Sequence, residues 1–281
     1  MLSFSLPDSI SYIMAEDGYS LGRNYAASVR LNVQHTYWID MFGYMLHPTI
    51  QQAFKDKSDV AVMDVGTGTG NFLLDLYHKH NFSAHSLTGM DISDIQYPHQ
   101  SWLPEGMKLI VLDALDPKGP PQELRGKFDI VHARYLLNLI KERPDQLIDF
   151  YSKLLKPGGY LQWGEPYSLG VQVEMKGESA DGLNTMMSLL KGQNPWEWLD
   201  HIPEIMKPYG LEALEVDKKY PLPWQRGWYI DNWCMVADEL APVLGMVEKA
   251  KIMNEKAIAE SKEGSWIKQA FQTVVARKTV E

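Results

Sequence analysis

A glycine-rich loop directly after a short apolar run is the feature that most constrains this chain. Residues 60–65 read Val-Ala-Val-Met-Asp-Val, glycines occupy positions 66, 68 and 70, and a helical pattern begins at Asn71. An apolar run that ends in glycines is typical of a strand buried on both faces that turns sharply into a helix. Glycine lets the backbone pass close to a ligand at such a turn. The loop therefore predicts a Rossmann-like α/β fold with a ligand at this turn.

Short apolar runs recur along the chain and alternate with helix-length segments, and the 281 residues, 45% of them hydrophobic, suffice for one large core. This alternation is typical of a largely parallel sheet with helices on both faces. The predicted strands are 60–65, 86–90, 108–112, 129–133, 160–164, 211–220 and 270–277. The predicted helices of this core are 71–79, 140–155 and 231–261. We expect a single domain over residues 1–281, with its cofactor-binding core at 58–166.

Two further helical segments accompany the predicted core. Residues 1–50 carry apolar side chains at near-helical spacing, and His47-Pro48 indicates a break, so this part is predicted as a helical N-terminal extension. Residues 177–208 are rich in Met, Leu and Trp and follow the fifth strand. Because they leave the carboxyl edge of the sheet, we predict that they form a helical lid over the site.

Composition excludes several classes of function. The formal net charge of -9, without a basic cluster, argues against a nucleic-acid partner. Cys234 is the only cysteine, so an intrachain disulfide and a cysteine-ligated zinc site are excluded, and a reducing cytoplasmic location is expected. No apolar stretch approaches the roughly 18 residues that a membrane span needs, and the first residues lack the basic cluster of a signal peptide.

Acidic residues follow three neighbouring strands at the edge where the glycine loop lies. Asp64 at the end of the first strand would repel a pyrophosphate but suits a ligand that carries an ammonium and a sulfonium. Asp91 ends the second strand, where a carboxylate can accept both hydroxyls of a ribose. Asp113 follows the third strand and can accept from an adenine amine, while Ala114 leaves room for the ring. This pattern favours S-adenosylmethionine over a dinucleotide.

Together with 128–131 and 155–159, these residues resemble the successive motifs of class I S-adenosylmethionine-dependent methyltransferases over about 58–166. The resemblance implies seven strands, the last antiparallel. Residues 18–25 and 30–35 resemble a fungal secondary-metabolism branch of that family, which implies that N-terminal side chains close over the methionine end of the cofactor, where an arginine can pair with its carboxylate. The expected cofactor residues are Tyr19, Arg23, Asn24, Asp64, Gly66, Thr67, Gly68, Gly70, Asp91, Ile92, Asp113, Ala114 and Arg134.

Methyl transfer is an in-line displacement that positioning in a water-poor pocket can accelerate without a metal. An acceptor that must lose a proton needs a base, and His35, His132 and Glu165 are the candidates by predicted placement. Each of them also has a purely structural interpretation. Cys234 lies on a predicted apolar helix face and is interpreted as structural.

The sequence thus predicts methyl transfer to an oxygen, nitrogen or sulfur of a small specialised metabolite, with a dithiol or diketopiperazine-type compound among the candidates. Aromatic residues of the lid and of 223–233 offer an adaptable pocket for it. One alternative is a protein that binds S-adenosylmethionine without methylating, either a pericyclase-like enzyme or a regulator of secondary metabolism. A second is a nicotinamide-dependent oxidoreductase, which Asp64 and the glycine spacing disfavour. The sequence leaves the oligomeric state open.

The placement of Asp91 generates a first prediction. Asp91→Ala removes the carboxylate expected to accept the ribose hydroxyls, so cofactor binding should weaken by about 1 to 3 kcal/mol, the usual cost of leaving buried donors unpaired. Isothermal titration calorimetry with S-adenosylmethionine measures the change. An unchanged affinity would remove Asp91 from the site.

Overall fold

A computed structural model describes residues 21–140, 144–191 and 196–280. Seven strands form one sheet in the order β3-β2-β1-β4-β5-β7-β6. The strands are β1 (Val62–Val65), β2 (Leu87–Asp91), β3 (Lys108–Val111), β4 (Phe128–Arg134), β5 (Leu155–Glu174), β6 (Leu211–Lys219) and β7 (Trp266–Lys278). Strands β1 to β5 pair in parallel, and β7 runs antiparallel to both β5 and β6. This confirms the predicted seven-stranded α/β sheet with an antiparallel last strand.

Helices cover both faces of the sheet, as predicted. They are α1 (Tyr25–Phe42), α2 (Pro48–Phe54), α3 (Asn71–His80), α4 (Asp145–Leu154), α5 (Asp181–Lys191), α6 (Ile202–Met206), α7 (Arg226–Leu240) and α8 (Val247–Lys262). On β1, Met63 and Val65 belong to the core beneath α4 and α6, whereas Val62 faces the core beneath α2 and α3. All four β1 residues are buried, which explains the continuous apolar run in the sequence. Among the described residues, no helix is both long and apolar enough to cross a bilayer.

Three predicted elements differ from the structure in their bounds. The stretch predicted as one helix over 231–261 consists of α7 and α8, which are separated by residues 241–246. The helix expected over 140–155 begins only at Asp145, directly after Pro144, whose ring fits the start of a helix and not its interior. The fifth strand, expected over 160–164, extends over Leu155–Glu174. It continues because β7 pairs with it far beyond the parallel part of the sheet, up to Glu174 opposite Trp266. Pairing of this kind depends on a partner about 100 residues away, which local sequence does not report.

The N-terminal extension is helical and folds onto the core. Helix α1 ends before Gly43, and α2 begins at Pro48, at the predicted break. Arg30 of α1 forms a buried ion pair with Glu239 of α7, with Nε–Oε1 at 2.7 Å and Nη2–Oε2 at 3.0 Å. Trp38 of α1 packs edge-to-face on Phe271 of β7 at 5.5 Å. The extension is therefore part of the domain core.

The helical insert after β5 divides into two parts. Glu260 of α8 anchors helix α5, since its carboxylate accepts from the backbone N–H groups of Gly182 (2.9 Å) and Leu183 (2.8 Å). Trp198, in contrast, is buried and stacks on Trp163 of β5 at 5.7 Å. The second part of the predicted lid thus packs into the core on the α4 face, and a lid role for α5 stays a prediction.

The buried pair between α1 and α7 generates a stability prediction. Glu239→Ala removes the buried carboxylate that accepts two hydrogen bonds from the Arg30 guanidinium, so the free energy of unfolding should fall by about 3 to 5 kcal/mol in urea denaturation. Asp149→Ala is the matched control, because it breaks a half-exposed i,i+4 pair with Lys153 and should cost at most about 1 kcal/mol. Equal losses in the two variants would contradict a structural role for the buried pair.

Candidate functional site

The carboxyl ends of β1 to β4 meet at one edge of the sheet. The strand registers place Asp64 opposite His132 and Asp91 opposite Val111, so the residues that follow these strands lie around one opening. Predicted cofactor residues that this edge brings together are Asp64, Gly66, Thr67, Gly68, Gly70, Asp91, Ile92, Asp113, Ala114 and Arg134. Ligands of open parallel sheets bind at this edge.

The glycine loop makes a tight turn that only glycine fits. Gly66 and Gly68 have φ angles of 71° and 54°, and the N–H groups of Gly66 and Thr67 both donate to Met90 O at 2.9 Å. A Cβ on Gly66 would lie 2.7 Å from Leu136 Cδ2, and one on Gly68 would lie 3.0 Å from Leu31 Cδ1. The loop is therefore enclosed by the residues after β4 on one side and by α1 on the other.

Asp64 links this loop to the sheet. Its Oδ1 is 2.7 Å from His132 Nδ1, and its Oδ2 accepts from Thr67 Oγ1 at 2.7 Å. The residue is 3% exposed, so both oxygens serve buried donors. Its negative charge also acts on Arg134, whose pKa it raises against the lowering effect of burial. Asp64 therefore orders the site, and its contact with a cofactor stays a prediction.

Asp91 is partly accessible and accepts from the Gly68 N–H through Oδ2 at 2.9 Å. Burial raises its pKa, while the N–H groups of Gly68, Ser93 and Ile92 and the charge of Arg23 act in the opposite direction. A carboxylate has about four acceptor positions, so capacity for hydroxyl donors remains. Asp91 thus holds the loop and faces the opening at the same time.

Four further residues were predicted to contact the cofactor, namely Asp113 and the N-terminal Tyr19, Arg23 and Asn24. Asp113 is exposed and its Oδ1 accepts from Leu115 N at 2.7 Å, while Ala114 beside it is buried. The charge of Arg23 reaches Asp91 at the site. Asn24 caps α1, because its Oδ1 accepts from Ala27 N at 3.0 Å. Tyr19 lies outside the described residues.

Sequence reasoning missed the role of Asn32. Its Oδ1 accepts from Thr69 Oγ1 and from Asn71 Nδ2, each at 2.7 Å, so α1 is fastened to the glycine loop. Asn32 and Leu31 lie in the 30–35 segment that carries the family resemblance, but nothing in that segment alone indicates contact with a loop almost 40 positions away.

The three candidate bases are all buried and hydrogen-bonded within the protein. Glu165 accepts from the N–H groups of Leu136 (2.8 Å) and Leu137 (3.1 Å) and from Trp163 Nε1 (2.7 Å), and burial raises its pKa to about 7. The His132 ring stacks on Phe72 at 3.6 Å, and burial lowers its pKa.

His35 contacts Arg134 and Asp75, and burial followed by the Arg134 charge lowers its pKa to about 4. Both His35 nitrogens and both Glu165 oxygens thus have protein partners, whereas His132 Nε2 is buried and has no hydrogen-bond partner among the described residues. A base role for each of them remains a prediction that the geometry does not favour.

Arg134 and Tyr135 lie deep in the protein and yet keep accessible surface. Burial lowers the pKa of Arg134 and raises that of Tyr135. Tyr135 has a φ of 59°, a left-handed conformation that costs a residue other than glycine about 1 to 3 kcal/mol. Residues strained in this way cluster at functional sites. Its Oη donates to Tyr37 Oη at 2.8 Å. These two residues lie at the carboxyl end of β4, at the edge where the other predicted cofactor residues meet.

The aromatic pocket expected at 223–233 was placed wrongly. Trp224 and Trp228 are 53% and 43% exposed and pack edge-to-face on the outer surface, whereas Tyr229 is buried in the core. Cys234 is buried, and burial raises the pKa of its thiol to about 12, as suits a structural residue. Within the described ranges, no group of three or more His, Cys, Asp or Glu is arranged to hold a metal.

Comparison with known proteins identifies the family to which this chain belongs. A family model for a methyltransferase domain matches residues 37–216, more than half of the chain. N-methyltransferase tcpN of Claviceps purpurea is 32% identical over 158 residues, which cover 56% of this chain and 54% of that protein. N-methyltransferase verN of Clonostachys rogersoniana is 29% identical over 154 residues, which cover 54% and 51%. The chain thus spans about half the length of the curated relatives it matches.

Both relatives come from fungi, which confirms the resemblance to the fungal secondary-metabolism branch. Among solved structures, an S-adenosylmethionine-dependent methyltransferase from Thiobacillus denitrificans in complex with S-adenosyl-L-homocysteine aligns with a TM-score of 0.52. The alignment covers 91% of this chain and 98% of that one at 13% identity. At that identity, the likeness shows the fold alone.

The raised pKa of Glu165 generates a prediction about pH. Between pH 4.5 and about 7, the unfolded chain has lost this proton while the folded protein keeps it, so raising the pH favours unfolding. The free energy of unfolding of the wild type minus that of Glu165→Gln should therefore fall by on the order of 3 kcal/mol across this window. Denaturant titrations at several pH values measure it.

Glu174→Gln on the same strand is the control. The pKa of Glu174 is lowered by its hydrogen bonds to Lys268 and Trp266, so its contribution is constant over this window. A constant difference between wild type and Glu165→Gln would show that Glu165 is ionised throughout.

Proposed function

The chain belongs to the methyltransferase-domain family, and from that premise we propose that it transfers a methyl group from S-adenosylmethionine to a small specialised metabolite. The observation that carries the proposal is the bond between Asp91 and the Gly68 N–H. This bond joins Asp91, to which we assign the ribose, to the glycine loop at the carboxyl edge of the sheet. The family model, which includes both residues, supports the same cofactor.

The residues at this edge fit S-adenosylmethionine. Gly66 has a φ of 71° and lies so close to Leu136 that a Cβ would be 2.7 Å from Leu136 Cδ2, and Asp91 keeps acceptor capacity for ribose hydroxyls. We propose that exposed Asp113 accepts from the adenine amine beside Ala114. Arg134 is the cation that we assign to the carboxylate of the methionine part. When bound, the cofactor supplies an electrophilic methyl group on a sulfonium.

The chain's own contribution is then binding, orientation and exclusion of water. Leu31 of α1 and Leu136 after β4 enclose the glycine loop from two sides, which limits water there. Tyr135, held in a strained conformation by its N–H bond to Gly164 O and its Oη bond to Tyr37, borders the acceptor side. We propose that these residues position the acceptor.

We propose nitrogen as the acceptor atom. A neutral amine attacks with its own lone pair, whereas most hydroxyl acceptors first need a base. Both nitrogens of His35 and both oxygens of Glu165 have protein partners, and the Nε2 of His132, which has no partner in the described part of the chain, is buried. Both fungal relatives are named N-methyltransferases. The net charge of -9 supports a small-molecule acceptor over nucleic acid, and the single cysteine supports a cytoplasmic location.

Calorimetry with S-adenosylmethionine, S-adenosylhomocysteine and NADH tests the cofactor. We expect micromolar binding of the first two and none of NADH. Gly68→Ala should weaken S-adenosylhomocysteine at least tenfold, because alanine is strained at a φ of 54° and its Cβ would press on Leu31. Gly126→Ala is the matched control, since Gly126 has a φ of 62° and no atom within 4 Å of the added Cβ.

Mass spectrometry then tests the acceptor with a panel of amines, phenols, thiols and diketopiperazine-type compounds. Methylated amines are the expected product. Binding of the cofactor without any product would favour the non-methylating alternative, and preference for NADH would overturn the proposed function.

A further inference from the structure

Three side chains from three different elements form a chain of hydrogen bonds that ends at the site. Arg134 at the end of β4 donates from Nη2 to His35 Nδ1 at 2.7 Å. His35 of α1 contacts Asp75 Oδ2 of α3 through Nε2 at 3.0 Å. Asp75 also accepts from Lys79 Nζ at 2.6 Å on the exposed side of α3. These hydrogen bonds therefore connect the N-terminal extension, the helix after the glycine loop and the sheet edge.

These contacts determine which nitrogen of His35 carries the proton. A guanidinium has only donors, so Nδ1 must accept, and the proton of the neutral ring lies on Nε2, which donates to Asp75. Burial and the Arg134 charge lower the pKa of His35 to about 4, which agrees with a neutral ring at physiological pH. Both nitrogens are thus committed, and neither is free to take a proton from an acceptor.

Arg134 is held in one place by its surroundings. Its guanidinium lies 5.7 Å from the Trp38 ring and 5.8 Å from the Phe72 ring. Its stem passes over Gly164, where a Cβ would lie 3.1 Å from Arg134 Cγ. His35 adds the hydrogen bond that fixes the rotation of the guanidinium. A rigid, partly accessible guanidinium at a ligand site presents a planar fork of donors.

The chemistry of that fork identifies what it binds. Planar donor pairs match carboxylates, which they bind through two parallel hydrogen bonds. Asp64 lies close enough to act on Arg134 electrostatically, but its oxygens already serve His132 and Thr67. On the proposed function, the cofactor brings one carboxylate, that of its methionine part.

We propose that His35 is a positioning residue and not a base: fixed by Asp75, it orients Arg134 to bind the carboxylate of the cofactor's methionine part. This inference rests on the proposed cofactor. It replaces the base role that the sequence suggested for His35, and it makes Asp75 a functional residue that the sequence did not indicate.

The test compares two ligands that differ at this carboxylate. S-Adenosylhomocysteine carries it, and 5′-methylthioadenosine lacks the whole aminocarboxylate arm. Calorimetry on His35→Leu should show binding of S-adenosylhomocysteine weakened about tenfold or more, the usual loss for a charge-assisted contact. Binding of 5′-methylthioadenosine should change less than twofold. Arg134→Met should show the same split to a larger degree.

Conservative and matched variants separate positioning from folding. His35→Gln keeps an acceptor and a donor on one planar group, so it should recover part of the affinity that His35→Leu loses. Asp75→Ala should weaken S-adenosylhomocysteine severalfold, and it serves as the second variant should His35→Leu fail to fold. Lys79→Ala removes an exposed partner of the same carboxylate and should change neither ligand.

Equal weakening of both ligands by His35→Leu and Asp75→Ala, or no weakening at all, would overturn the inference, while binding of S-adenosylhomocysteine to the wild type would still support the proposed function. Failure of the wild type to bind S-adenosylhomocysteine would overturn the proposed function itself, and the inference with it.

Discussion

The site depends on the two contacts of the buried Asp64 carboxylate. One oxygen contacts His132 of β4 and the other accepts from Thr67 in the glycine loop, so a single side chain joins the first strand, the loop and the fourth strand. Asp64 is only 3% exposed, and a carboxylate buried to this degree is tolerated only when its oxygens accept hydrogen bonds. The loop therefore has a defined conformation before any ligand arrives, which reduces the ordering that binding must impose.

The N-terminal extension belongs to the site as much as the sheet does. Helix α1 contributes Asn32 to the glycine loop, Leu31 above Gly68 and His35 beside Arg134. The Arg30–Glu239 pair attaches the same helix to α7. The part of α1 over residues 30–35 is thus held on two sides, so its position over the loop follows from contacts with both the sheet edge and helix α7.

Burial acts on the ionisable groups of this region in opposite directions. It raises the pKa of Glu165 to about 7 and lowers that of His35 to about 4, because a low-dielectric surrounding disfavours whichever form is charged. Glu165 holds the N–H groups of Leu136 and Leu137 directly behind strained Tyr135, and His35 holds Arg134. The residues at the end of β4 are thus supported from both faces of the sheet by groups that do not themselves face the opening.

The amino-acid sequence alone determined the α/β class, the glycine loop, the acids at the strand ends and the family resemblance. These features are local: a buried strand, a turn that requires glycine and a carboxylate at a strand end each leave a signature within a few residues. The same locality explains why the start of α4 and the length of β5 were missed, since Pro144 and pairing with β7 decided them.

Only the tertiary structure decided which partners the candidate bases contact. Asp75 and Arg134 lie 40 and 99 positions from His35 in the sequence, and the three residues meet only because α1 folds across α3 and β4. A histidine that accepts from arginine and one that accepts a substrate proton have the same local sequence. The difference lies in which long-range partners occupy the two ring nitrogens, and that is settled by packing.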